Sequence, residues 1–152
     1  MYERILVPID GSPTSDLGLK EAMRLAALTH GSLRLIHVID EMSFALASDS
    51  YGVYAGELLD LLQQNGEELL AKAEALVRAQ GLPVDTVLYE NLQKTVQQRV
   101  VDEAIDWRAD VIVIGTHGRR GVRRMMLGSS AEGVARTSPV PVLLVRAPDT
   151  AT

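Results

Sequence analysis

Short apolar runs that end in turn residues alternate along this chain with segments whose apolar residues recur at helical spacing. That alternation narrows the possible folds more than any other feature. Ile5, Leu6, Val7 and Ile9 form the first run, which stops at Asp10-Gly11-Ser12-Pro13. Leu19, Ala22, Met23 and Ala26 predict a helix over 14–30, with Gly31 placed to stop it. A second strand is predicted over 32–38, and residues 40–55, rich in Ser, Gly and Tyr, read as a loop. A long helix follows over 56–80, with Leu59, Leu62, Leu69, Leu70, Ala73, Leu76 and Val77 on its inner face. Asn65-Gly66 interrupts that face and is read as a kink, and Gly81 and Pro83 end the helix. Then come a strand over 84–89, a helix over 94–107 with Val96, Val100, Ala104 and Ile105 inward, and a wholly apolar strand over 111–114. A Gly- and Arg-rich loop over 115–127, a helix from Ser129 and a last strand over 142–145 complete the pattern. Strands alternating with helices imply an α/β fold with a mainly parallel sheet covered on both faces. Ligands of such sheets bind beyond the C-terminal ends of the strands, where strand order reverses. Periodicity alone does not give that order.

The 152 residues suit one domain, expected over 1–147 with a short tail at 148–152. At 47% hydrophobic and 23% charged residues the chain can build a core, and its net charge of −5 disfavours non-specific binding of nucleic acid. Cysteine is absent, which removes disulfides and thiolate metal sites and fits a reducing compartment, so a cytoplasmic protein is expected. The opening MYERILVPID lacks the pattern of a signal peptide, and no run is long enough for membrane insertion.

The chemistry concentrates in Gly115-Thr116-His117-Gly118, nine intervening residues, and Gly128-Ser129-Ser130. A buried strand precedes this stretch and a helix follows it. Glycines expose main-chain N–H groups without an intervening Cβ, successive amides can form an anion-binding nest, and a helix start adds unpaired donors and a positive dipole end. Those are the needs of a polyphosphate. The stretch lacks the Gly-Lys-Ser/Thr ending of a Walker loop and is not a G-x-G-x-x-G turn after the first strand. Nor does it match the Ser-Gly-Gly turn of pyrophosphatase-type adenylating enzymes or the His-x-Gly-His of nucleotidylyl transferases.

The Gly-x2-Gly-x9-Gly-Ser pattern, the N-terminal Ile-Leu-Val-Pro-Ile-Asp-Gly-Ser and the C-terminal Pro-Val-Pro-Val-Leu-Leu-Val-Arg together resemble the universal stress protein family, over Tyr2 to Arg146. The chain departs from the family at 91–94, Asn-Leu-Gln-Lys, where relatives often carry Gly and Pro. The resemblance implies a Rossmann-like fold of the adenine nucleotide alpha hydrolase type, with a five-stranded parallel sheet in order 3-2-1-4-5, and a homodimer. It also implies ATP binding, because this chain keeps the full glycine pattern. On that basis Pro8 and Asp10 sit at the end of strand one, with Asp10 toward adenosine or a bound Mg²⁺. Val38 walls the adenine or ribose, and Gly115, Thr116, His117, Gly118, Arg119, Gly128, Ser129 and Ser130 surround ribose and phosphates.

Plainer readings stand beside these. Asp10-Gly11 is on composition a simple turn, and only a position opposite Gly115 favours a ligand role. Arg119, Arg120, Arg123 and Arg124 are either a solvated basic face or the counter-charge of a triphosphate, with Arg119 best placed. Met125, Met126 and Leu127 read as packing residues. His117 has no carboxylate at suggestive spacing, which favours a structural or ligand-contacting role over catalysis. His30 and His37 read as helix-end and strand histidines, and Ser12 lacks a nucleophile-elbow context. Pro139 and Pro141 restrict the last strand to an edge, so Val142, Leu143, Leu144 and Val145 are either covered by a loop or, as the resemblance implies, pair with a second copy. Three functions follow for comparison: a dimeric ATP-binding regulator with little turnover, a slow ATPase or phosphotransferase, and a dimeric interaction module binding AMP, cyclic AMP or no nucleotide. The downstream partner is not legible.

Overall fold

The computed structural model describes residues 1–39, 45, 55–90, 93–116 and 128–148. Five strands, β1 (Arg4–Pro8), β2 (Ser32–Val38), β3 (Val84–Tyr89), β4 (Val111–Gly115) and β5 (Val142–Val145), form one sheet. Between them run α1 (Pro13–Thr29), α2 (Ala55–Ala79), α3 (Val96–Asp106) and α4 (Ser129–Thr137). The sheet order is β3-β2-β1-β4-β5 and every pairing is parallel. β1 therefore lies at the centre, with Pro8 opposite Ile36 of β2 on one side and Leu6 opposite Ile112 of β4 on the other.

Alternation along the strands divides the core. Ile5, Val7, Leu33, Leu35, Val111 and Val113 pack against Leu19, Ala22 and Ala26 of α1 and Leu70, Ala73 and Val77 of α2. Leu6, Ile36, Val38, Ile112 and Ile114 pack against Val100 and Ala104 of α3 and Ala131 and Val134 of α4. Burying each large aliphatic side chain contributes about 1.5–3 kcal/mol, which far outweighs exposed ion pairs such as Arg24–Glu21.

Local chemistry fixes the helix ends. The Ser12 hydroxyl accepts from the Ser15 N–H and Pro13 opens α1. The α1 stop differs from the expected glycine stop, since His30 itself takes the left-handed conformation, with φ 56°. Gly31 is needed for space, because a Cβ there would lie 2.9 Å from the carbonyl oxygens of Tyr2 and Glu3. Thr95 and Gln98 form a reciprocal capping box at α3. Helix α2 continues through Asn65 and Gly66. Gly66 instead lets α2 approach the sheet, because a Cβ would stand 2.8 Å from Cδ2 of His37 and 2.9 Å from Cδ1 of Leu88. Leu76 and Ile105, expected inward, are exposed. Their neighbours Val77 and Ala104 occupy the inward positions, and one residue turns a helix by about 100°.

One charged cluster enters the α3-facing layer. Arg34 makes two hydrogen bonds to Asp85, each 2.8 Å, and a third of 2.7 Å to buried Glu103. Its guanidinium lies 4.8 Å from the Trp107 ring centroid. The other Glu103 oxygen accepts from the Tyr89 hydroxyl. Burial, reinforced by that carboxylate, pushes Tyr89 up to about 12, so it remains a neutral donor. Removing Arg34 strands Glu103 as an unpaired buried charge. Arg34→Leu is expected to cost about 3 kcal/mol in urea unfolding, with partial recovery in the Arg34→Leu/Glu103→Leu double variant. Equal stability of the two variants would show that the stranded charge is not the cause.

Candidate functional site

Parallel pairing gathers the ends of β1, β2 and β4 at one pole, and the chain order reverses between β1 and β4. The β1 end turns immediately. Ile9 donates its N–H to Ile36 O at 2.8 Å, and Asp10 Oδ1 accepts from the Ser12 N–H at 2.8 Å. Gly11 takes φ 81°, where a Cβ would be strained. The Asp10 N–H donates to Ser15 Oγ at 3.1 Å. Asp10 is thus a half-buried turn residue whose carboxylate already has a structural bond.

The β4 end meets this turn backbone to backbone. A Cβ on Gly115 would lie 2.5 Å from Thr14 O and 3.0 Å from Ser15 N, and a Cβ on Gly18 would lie 3.2 Å from Gly115 N. Glycine at 115 is therefore required by the approach of α1. Among the described residues the glycines with positive φ are Gly11 and Gly81, so neither Gly115 nor Gly128 needs glycine for its φ.

Thr116 follows, 2% exposed. Its N–H donates to Val145 O at 3.0 Å, tying the residue after β4 to β5, and its carbonyl accepts from the Gly128 N–H at 2.5 Å. The last bond closes the neck of the segment 117–127. The Thr116 Oγ1 is buried, and among the described residues it has no hydrogen-bond partner. Such a hydroxyl costs stability unless something accepts from it or donates to it. Gly128 is the N-cap of α4, and among the described residues no side chain caps it. The first helical bond runs from Glu132 N to Gly128 O, which leaves the amides of Ser129, Ser130 and Ala131 ahead of it.

The structure thus brings Pro8, Asp10, Gly115, Thr116, Gly128, Ser129 and Ser130 to one pole. Val38 ends β2 at the same pole, but its side chain is in the α3-facing core. His117, Gly118 and Arg119, with the remaining arginines and Met125–Leu127, lie outside the described residues, as do 40–44, 46–54, 91–92 and 149–152. Ser12, Thr14 and Ser15 were missed by sequence reasoning as parts of this pole. All three are buried beside Asp10, and the helix-start pattern Ser12-Pro13 was the signal that could have drawn attention to them. Among the described residues no helix is long and apolar enough to cross a membrane, and no group of three or more acidic or histidine side chains could hold a metal.

Comparison with known proteins agrees with the fold. The profile of the universal stress protein family matches residues 1–146, and the chain belongs to that family. The universal stress protein MJ0531 of Methanocaldococcus jannaschii is 32% identical, covering 97% of this chain and 84% of the relative. The solved structure of MJ0577 from the same organism has a TM-score of 0.83 at 27% identity, covering 99% of each chain. A family member from Burkholderia pseudomallei gives 0.76 at 30% identity, covering 96% of this chain and 97% of its own. Two more distant members were solved with nucleotides. One, in complex with cAMP, has a TM-score of 0.66 at 21% identity over 95% of this chain and 97% of its own. The other, from Archaeoglobus fulgidus in complex with dAMP, gives 0.67 at 24% over 95% and 98%.

The two glycines at the loop neck should respond differently to alanine. Gly115→Ala drives a Cβ into the Thr14 carbonyl and is expected to cost about 1–3 kcal/mol. Gly128→Ala sits at a cap with φ −58° that alanine tolerates, and should cost under about 1 kcal/mol. Urea unfolding of both variants checks the order, and a reversal would contradict the packing assigned to Gly115.

Proposed function

We propose that this protein is a dimeric ATP-binding regulator with little or no ATP turnover, and that its nucleotide sits at the pole between β1 and β4. The observation that carries this reading is the buried Thr116 hydroxyl, without a partner among the described residues, at the neck closed by the backbone bond from Gly128, the residue that caps α4 with no described side chain bonded to it. A buried hydroxyl lacking a protein partner fits a ligand oxygen, and the first-turn amides of α4 fit anionic phosphate oxygens. The cAMP and dAMP complexes of two fold relatives favour an adenine nucleotide as the class. Gly118, Arg119 and His117 would complete the phosphate cradle between Gly115 and Gly128, and Pro8, Val38 and Asp10 would border the nucleoside.

Mg²⁺ would arrive on the nucleotide. Asp10 is the one carboxylate of the proposed site, and Mg²⁺ commonly binds through one or two carboxylates with water and phosphate oxygens completing its shell. Phosphoryl transfer asks for more: a positioned metal and an oriented nucleophile. Retention of ATP therefore suits this donor set better than rapid hydrolysis. A nucleotide at 100 times its Kd stabilises the fold by about 2.7 kcal/mol. Mg·ATP is accordingly expected to raise Tm by several degrees, with AMP and cyclic AMP as comparison ligands. Single-turnover assays should find negligible phosphate release. No shift with any adenine nucleotide would refute the binding reading, and rapid release abolished by Asp10→Asn would favour the ATPase.

Dimerisation through β5 is supported by the edge position of the strand and by its composition. Leu143 and Leu144 are 40% and 37% exposed, and consecutive strand residues point to opposite faces, so apolar surface is exposed on both faces of this edge strand. Leu144→Lys should shift the protein from dimer to monomer in analytical ultracentrifugation. A monomeric parent protein, or an unaltered dimer in the variant, would rule out this interface.

A further inference from the structure

We propose that His37 is a positioning residue for the nucleotide site, holding the peptide unit that carries Asp10 in the orientation the ligand needs. The inference rests on the nucleotide reading above. His37 is 8% exposed at the end of β2, and its Nδ1 lies 2.7 Å from Ile9 O. A carbonyl oxygen only accepts, so Nδ1 carries the proton. The carbonyl of Ile9 and the N–H of Asp10 belong to one planar peptide unit. That unit is held at both ends: His37 of β2 donates to its carbonyl, and its N–H donates to Ser15 Oγ of α1 at 3.1 Å. Rotating the unit would break both bonds and swing the Asp10 turn, with Gly11 and the Ser12 cap, away from Gly115 and Thr116.

Helix α2 braces the ring. A Cβ on Gly66 would lie 2.8 Å from Cδ2 of His37, so the bare glycine lets the helix close over the imidazole. Leu33 and Leu35, which precede His37 on the same face of β2, are plain aliphatic core residues. Packing alone would be served by another aliphatic side chain at 37. Toward the β1 turn, the bond to Ile9 is what histidine adds. His37 therefore links three elements, α2, β2 and the β1 turn, without needing to touch the ligand.

The test measures Mg·ATP affinity by calorimetry and stability by urea unfolding for the full chain. His37→Phe removes the donor while filling the space. Affinity should fall about tenfold, the equivalent of one well-made hydrogen bond. His37→Asn, whose amide nitrogen can occupy the place of Nδ1, should bind within about threefold of the parent. Gly66→Ala keeps the imidazole but displaces it, and should weaken binding without deleting a polar group. If the parent binds and His37→Phe binds equally well, or His37→Asn is no better than His37→Phe, the positioning role is wrong while the nucleotide site stands. If the parent itself binds no adenine nucleotide, the nucleotide reading has failed and takes this inference with it. Should His37→Phe not fold, the imidazole Nδ1–H resonance of the parent decides. It must be present without nucleotide and shift on adding Mg·ATP, and an unmoved or absent signal overturns the role.

Discussion

The first turn of α1 rests directly on the end of β4, and most of the pole described above depends on that contact. Thr14 and Ser15 occupy the space that a Cβ on Gly115 would fill, and Gly18 admits Gly115 one turn further along. Two glycines on different elements thus set one interatomic distance. Their consequence is positional: β1 ends in the turn that starts α1, so whatever fixes α1 against β4 also fixes Asp10 against Thr116. The Ser12 cap, the Ser15 bond to Asp10 and the bond between Thr116 and Val145 then hold the pieces in register. Stiffness of this sort is what a binding site on an α/β sheet requires, because the loops that would contact the ligand are anchored on strand ends.

The opposite flank of the sheet is held by a different kind of interaction. The Arg34–Glu103–Tyr89 cluster joins β2, β3 and α3 through a buried carboxylate with several partners. Such clusters are weak net contributors to stability, yet costly to break from one side. Their value here is orientation. Arg34 spans from exposed Asp85 to buried Glu103, so α3 can take only one rotation against the sheet without stranding the charge. Gly133 completes this layer by admitting Gln97 of α3 against α4, the helix whose first turn faces the loop neck.

Much of this was legible in the sequence. The nine described elements follow from periodicity and turn residues, with the predicted boundaries within a residue or two, because the strands are short, largely apolar segments set off by turn residues. What failed has a common cause. Asn65-Gly66 looked like a kink and Gly31 like a helix stop, yet each glycine is there to admit a neighbouring element. A one-dimensional pattern carries no information on which backbone approaches which glycine. For the same reason Leu76 and Ile105 were assigned inward: the edges of an apolar stripe are decided by the curvature of the surface beneath it. The linkage of His37 to Ile9 joins β2 to the residue just after β1 and was beyond reach until the register of the two strands was known.

A glycine can serve packing and ligand access together, and the distinction matters for the proposed function. At Gly115 packing alone accounts for the residue, so it carries little weight as a sign of a phosphate cradle. Gly128 is different. It caps α4 without a side chain, where serine, threonine, asparagine or aspartate would satisfy the first-turn amides internally. A helix that starts this way keeps its donors available for an external acceptor, at some cost to its own stability. The unsatisfied Thr116 hydroxyl lies across the same neck and incurs a similar cost. Two polar demands that the described residues do not meet, joined by one backbone bond, speak against a mere connector. On the proposed reading both are met when nucleotide binds, so occupancy and local order at the loop neck rise together, and a regulator needs such a difference between its empty and loaded states.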